Sequence, residues 1–172
     1  MWKGKRKGFT LVELLIVIII LGALSATMML SSGDSVAAAK AQTIVANLVT
    51  IKDAALVYYS TNIDDSPTVV KFQANAQEYL GDTAKTSGTV DNSLGNLIME
   101  IDSIQFGIQE VNNPKNWLAT CNFSKLQTSE KDAIRDKLIE LTSDAKLVSP
   151  NDHKKEFDGT GNLKHAVRLR IR

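Results

Sequence analysis

Glu13 is the residue with the clearest chemical demand. It is the one charge among the 22 residues from Phe9 to Leu30, and a carboxylate carried into lipid costs about 2.5 to 3.5 kcal/mol on insertion scales. At that depth it needs a cation, unless it simply reaches back to the headgroups. A second set of oxygens lies near the carboxyl end, where Asp158, Thr160 and Asn162 alternate across a glycine-rich turn with Asp152 and Glu156 just upstream. Closely spaced oxygens on a turn are what calcium takes as ligands. The Asp158 to Asn162 core has a single carboxylate, so a plain turn held by Asp and Asn side chains is the competing account.

The other reactive types are sparse. The single cysteine, Cys121, excludes an intramolecular disulfide and falls at an apolar alternation position, where a buried small hydrophobe belongs. His153 and His165 stand in segments without metal-ligand spacing, and neither is near Cys121 in sequence. This argues against a zinc site or a cysteine nucleophile. Gly159-Thr160-Gly161 lacks the third glycine of a phosphate loop.

Three readings compete for the segment that carries Glu13. A secretory signal has an apolar stretch of about 7 to 15 residues and then a small-residue cleavage site. Ala37, Ala38 and Ala39 supply such a site, but the stretch here is longer and Glu13 interrupts it. A single-pass anchor fits the length, since 22 helical residues reach about 33 Å against a hydrocarbon core of about 30 Å. Lys3, Lys5, Arg6 and Lys7 would hold its amino end in the cytoplasm and send the rest across. An anchor alone gives Glu13 no purpose. The third reading is a filament-subunit leader followed by a retained helix.

Gly8-Phe9-Thr10-Leu11-Val12-Glu13, behind a short basic leader and ahead of the apolar residues 14–21, closely resembles the processing site of type IV pilins and of the pseudopilins of type II secretion. The resemblance covers roughly the first 30 residues, and its specificity lies in the coincidence of leader, glycine, phenylalanine, glutamate and apolar run. It implies cleavage between Gly8 and Phe9 by a membrane-embedded prepilin peptidase on the cytoplasmic side, then methylation of the new Phe9 amine. It also implies that Glu13 pairs with that amine, in its own chain or in an incoming neighbour. Gly8 suits the cut because a residue without Cβ lets the peptide lie extended in a narrow site. Many type IV pilins carry a proline in the membrane-distal part of the apolar segment, whereas no proline precedes Pro67 here. That departure leans toward the pseudopilins or a minor branch, and the major pseudopilins bind calcium in a carboxy-terminal loop. The resemblance thus also points to Asp158, Thr160 and Asn162.

The elements that position these residues follow from periodicity. Ala37, Ala41, Ile44, Leu48, Ile51, Ala55 and Tyr58 form one helical stripe, so a helix from Phe9 to about Ser60 is expected, about 78 Å long. Gly22 and Ser31-Ser32-Gly33 are its weak points, and Ser32 or Asp34 can cap a second helix. Ser66 and Pro67 read as N-cap and first residue of a short helix with the stripe Val69, Phe72, Ala76 and Leu80, stopped by Gly81. Residues 82–95 read as a loop. Strands are expected around Ile104, Phe106 and Ile108, around Trp117, Ala119, Cys121 and Phe123, and around Val167, Leu169 and Ile171, with a turn at Asn112-Asn113-Pro114. Ser129 with Asp132 resembles a capping box ahead of the stripe Ile134, Leu138, Leu141 and Ala145.

The expected fold is therefore α+β: a long N-terminal helix, membrane-spanning in its lower half, with a small antiparallel sheet and short helices packed on its upper half. The divisions are a leader, 1–8, a transmembrane and assembly helix, 9–30, its extramembrane continuation, 31–60, and a globular head, 61–172. A composition of 44% hydrophobic and 23% charged residues excludes long disorder, collagen-like repeats and a many-span membrane protein. The net charge of +1 becomes −3 once residues 1–8 are removed, so nucleic acid is not an expected partner. Lys164, Arg168, Arg170 and Arg172 read as a solvated sheet face or charged edge strand rather than a face for DNA.

The expectation is a structural protein, not an enzyme: a subunit of a type IV pilus-like filament, or a pseudopilin of a type II secretion or DNA-uptake system. No cofactor is expected apart from possible calcium. The partners implied are further pilin-like subunits, prepilin peptidase and an assembly platform in the inner membrane. The chain would sit in the cytoplasmic membrane with its head outside the cytoplasm, then in a surface pilus or an envelope pseudopilus. Two other classes remain open: a single-pass membrane-anchored binding protein that keeps its leader, and a secreted ligand-binding protein cut near Ala39.

Overall fold

A computed structural model of the chain describes residues 9–111, 116–152 and 154–171, without the side chains of residues 27–32. Gly8 and the rest of the leader, the expected turn at Asn112-Asn113-Pro114, His153 and Arg172 lie outside the described residues. The chain divides into two compact units with the boundary between Val36 and Ala37. Helix α1 (Leu11–Thr61) contributes residues to both.

In the first unit α1 passes Gly22 and Gly33 without a break, which corrects the expectation of a second cap at Ser32 or Asp34. Each glycine costs about 1 kcal/mol, but a helix once nucleated adds a hydrogen bond for every residue it fixes. Neither glycine has an atom within 4 Å of where a Cβ would stand, so no packing forces a kink there.

In the second unit the α1 stripe behaves as its spacing demands, with Ala37, Ala41, Ile44, Leu48, Ile51, Ala55 and Tyr58 all buried. A 3₁₀ turn (Ile63–Asp65) follows, ending at Ser66 with φ 51°. The next helix is not capped by Ser66. Thr68 is the N-cap of α2 (Val69–Ala74), its Oγ1 accepting from the Lys71 N–H at 3.2 Å. The expected single helix is two, because the chain turns at Asn75 before α3 (Ala76–Leu80) ends at Gly81. Val69, Phe72 and Ala76 still share the core.

The sheet has five antiparallel strands in the order β1-β2-β3-β5-β4: β1 (Asn96–Ile101), β2 (Ile104–Val111), β3 (Asn116–Asn122), β4 (Leu147–Val148) and β5 (Ala166–Arg170). β1 was not anticipated, since an irregularity in its pairing between Leu97 and Met99 breaks the alternation that marks a strand. Across the sheet Phe106 faces Cys121 and Val167, while Ile108 faces Ala119 and Leu169. These rows meet the α1 stripe and the buried Ile134 and Leu138 of α4 (Thr128–Ala145). Trp117 is the largest fully buried side chain, stacked on Tyr58 at 6.4 Å and meeting Tyr59 edge-on at 5.7 Å.

The opposite sheet face is covered as well. Val90 and Leu94 cluster with Ala166 over it, and Thr120 Oγ1 donates to the Leu94 carbonyl at 2.7 Å. The Gln73 amide donates to the carbonyls of Gly88 and Leu97, each at 2.8 Å, and ties this loop to α2. Gly107 makes the close approach possible: a Cβ there would stand 2.4 Å from Val90 Cγ2 and 2.6 Å from the Asn96 carbonyl. Two expectations about β5 change. β5 is interior rather than an edge, and Arg168 is only 8% exposed, with burial lowering its pKa from the ordinary arginine value.

A chain shortened to begin at Asp34 should be soluble and monomeric and should unfold cooperatively in urea. Within it Leu48→Ala should cost about 2 to 5 kcal/mol as a cavity, and Gly107→Ala about 1 to 3 kcal/mol as overpacking. A Gly107→Ala melt that coincides with the parent would contradict the described covering of the sheet.

Candidate assembly site

The start of α1 explains where Glu13 is held. Thr10 precedes the first helical residue, and its N–H and Oγ1 donate to Glu13 Oε2 at 2.8 and 2.9 Å. The Glu13 N–H donates back to Thr10 Oγ1 at 3.2 Å. This is a reciprocal capping box: the N-cap hydroxyl and the carboxylate three residues on each satisfy a backbone donor that the helix leaves free. The Thr-x-x-Glu spacing is the sequence signal for this box.

Around this cap the surface is apolar without a polar side. Every described side chain from Phe9 to Ala26 is exposed, with Phe9 at 85% and Leu11 at 80%. A helix that is apolar all round needs burial in lipid or among other helices. Among the described residues no helix is long and apolar enough to cross a membrane. The described side chains of the run reach from Leu11 to Ala26, about 24 Å along the axis.

The carboxy-terminal candidates form a turn. Asp158 Oδ1 accepts from the Thr160 N–H at 3.0 Å and from Thr160 Oγ1 at 2.8 Å, which holds the Asp158 carboxyl below the usual carboxylate range. Gly159, at φ +66°, lets this turn lie against α4, where a Cβ would stand 2.7 Å from Ile139 Cδ1. Asn162 is exposed, and Asp152 Oδ1 accepts from the Lys154 N–H. Asp158 and Thr160 are thus bonded to each other. Among the described residues no three His, Cys, Asp or Glu side chains gather as metal ligands.

Asp132 also differs from expectation. The N-cap of α4 is Gln127, with no side-chain bond, so Ser129 and Asp132 form no capping box. Asp132 Oδ1 instead meets His165 Nε2 at 2.8 Å and accepts from Arg135 Nη1 at 2.8 Å. The His165 hydrogen bond, aided by the Arg135 charge, keeps its carboxyl below the usual range. Local spacing could not reveal this contact, because β5 brings His165 to α4 from 33 residues away. Cys121 is fully buried, and burial pushes its thiol up.

Residues 3–29 match the prokaryotic N-terminal methylation motif. This is the signature of type IV pilins and pseudopilins. Phe9 and the whole Thr10–Glu13 capping box fall inside the methylation motif, whereas Asp132, His165 and the Asp158 turn lie outside it. No curated protein and no solved structure matches the chain.

Because Asp132 has a lowered folded pKa, its stabilising effect is full above the ordinary carboxylate range, near pH 4, and is lost as pH falls through the lower folded value. His165→Ala should therefore make stability less steeply dependent on pH below about 4, read by urea unfolding across that range. Millimolar calcium should leave the melting temperature of the parent unchanged. A rise that disappears in Asp158→Ala would instead make the turn a calcium site.

Proposed function

We propose that the protein is a structural subunit, not a catalyst, of a type IV pilus-like filament, cut between Gly8 and Phe9 by prepilin peptidase and assembled through its N-terminal helix. The observation that carries this reading is the methylation motif over residues 3–29, whose described part runs into helix α1 with an apolar, exposed surface from Phe9 to Ala26. Before assembly, that surface is satisfied by the cytoplasmic membrane, with the head beyond it. In the filament it is satisfied by the same helix of other subunits.

Cutting at Phe9 places a cationic amine beside the capping box. Glu13 then serves two groups: the Thr10 N–H of its own chain, and an amine, its own or that of an incoming subunit. A paired carboxylate among apolar helices converts an insertion cost into a signal for register, since only one axial offset brings amine and carboxylate together. A pseudopilin of a secretion or DNA-uptake system is the second reading, favoured by the lack of any proline before Pro67.

Intact mass from cells with active prepilin peptidase should show loss of residues 1–8 and one added methyl group. An unprocessed terminus would sink the filament reading and favour a retained anchor, and a cut near Ala39 would favour a secreted protein. Gly8→Val should accumulate uncut chain. Glu13→Gln keeps a side chain that can complete the capping box but removes the charge. It should be cut and inserted normally yet enter filaments about tenfold less. Filament yield equal to the parent would reduce Glu13 to a helix cap.

A further inference from the structure

The head has a charged cleft that lies outside the N-terminal motif. Lys52 of α1, Lys146, Lys154, Lys155 and Arg170 of β5 surround a cavity of about 600 Å³, with Asp144 and Glu156 as its acids. Its floor is apolar, made by Val49, Val148 and Leu169, and Val49 is 41% exposed there. Lys52, Lys146 and Lys154 have no ion-pair partner among the described residues, and Lys155 makes no salt bridge there although its charge acts on the Asp158 carboxylate. Lys146 closes α4 in the left-handed region, φ 54° and ψ 42°, where glycine or asparagine is the easy choice. A chain that is net acidic once its leader is gone therefore concentrates cations around one apolar-floored cleft.

The same head carries the complement. The 3₁₀ turn after α1 presents Ile63, 61% exposed, beside Asp64 and Asp65. Asp65 Oδ2 is held by Lys71 Nζ at 3.1 Å, whereas Asp64 has no ion-pair partner among the described residues. Ile63 follows the end of α1, 11 residues beyond Lys52, and none of residues 63–65 lines the cleft, so the knob and the cleft are separate surfaces of one head.

We propose that the cleft takes the Ile63-Asp64 knob of a second copy of the chain, with Ile63 on the apolar floor and the Asp64 carboxylate among Lys146, Lys154 and Lys155. Such a contact is heterologous: each copy offers a knob to one neighbour and a cleft to another, and repetition without closure builds a filament. The proposal rests on the filament reading and names the head surfaces that would join there.

Carbodiimide, which couples a carboxylate directly to a lysine amine it touches, tests the contact on the assembled full chain. Mass spectrometry should find Asp64 joined to Lys146, Lys154 or Lys155. The link must also form when two copies are made together, one with Asp64→Asn and the other with those three lysines changed to alanine. In that mixture only a link between chains is possible. Neither variant alone can form the link, so each is the blank for the mixture, and the melting temperature of its head should be unchanged. Cut, methylated filaments that yield no such link in the mixture would overturn the knob-in-cleft contact and leave the filament reading standing. Uncut chain without filaments would overturn both.

Discussion

The burial of one α1 stripe against the sheet is the contact on which the rest of the head depends. Residues spaced three and four apart from Ala37 to Tyr58 present a continuous apolar ridge. The ridge meets strands whose core-facing residues alternate, and Trp117 fills the space beside Tyr58, Tyr59 and Phe72. A five-stranded sheet has two faces. Once one is committed to α1 and α4, the other must be left to water or covered.

The chain covers it, and that choice shapes the interior more than the strands' own alternation does. Gln105, Thr120 and Asn122 point away from the helices yet are buried, because the Val90 to Leu94 segment lies over them. They hold it with hydrogen bonds: Gln105 Oε1 accepts from the Asp91 N–H at 3.0 Å, and Thr120 donates to Leu94. A loop of polar composition can be buried in this way because its backbone finds side-chain partners. Gly107 is the steric condition for it. The polar residues of β2 and β3 are thus buried, hydrogen-bonded members of the head.

How much of this was legible in the sequence follows from the range of each interaction. The stripes of α1 and α4 and the alternation of β2, β3 and β5 are local patterns, and all are found where the spacing puts them. Cys121 as a buried hydrophobe was legible for the same reason. Caps fared worse: Ser66 and Ser129 have the right residue type, but neighbouring turns made Thr68 and Gln127 the caps. Arg168 defeated prediction because its burial depends on a loop some 75 residues earlier in the chain. The Asp132–His165 pair is invisible for a similar reason. At the amino terminus Phe9 and the Thr10–Glu13 capping box lie within five positions of one another and inside the matched motif, so the motif and the local structure fall on the same residues.

That convergence has a physical content beyond recognition. A helix that begins in apolar surroundings leaves its first backbone N–H groups without partners unless side chains supply them. Thr10 and Glu13 supply two of the missing acceptors at the point where the apolar run begins. The carboxylate is thus already ordered, with one oxygen engaged by Thr10, before any amine approaches. An ordered acceptor loses less conformational freedom on pairing than a free side chain would. In the filament proposed above, the capping box and the charge pair would be successive uses of one side chain: the first fixes where Glu13 stands, and the second could then select a partner by position.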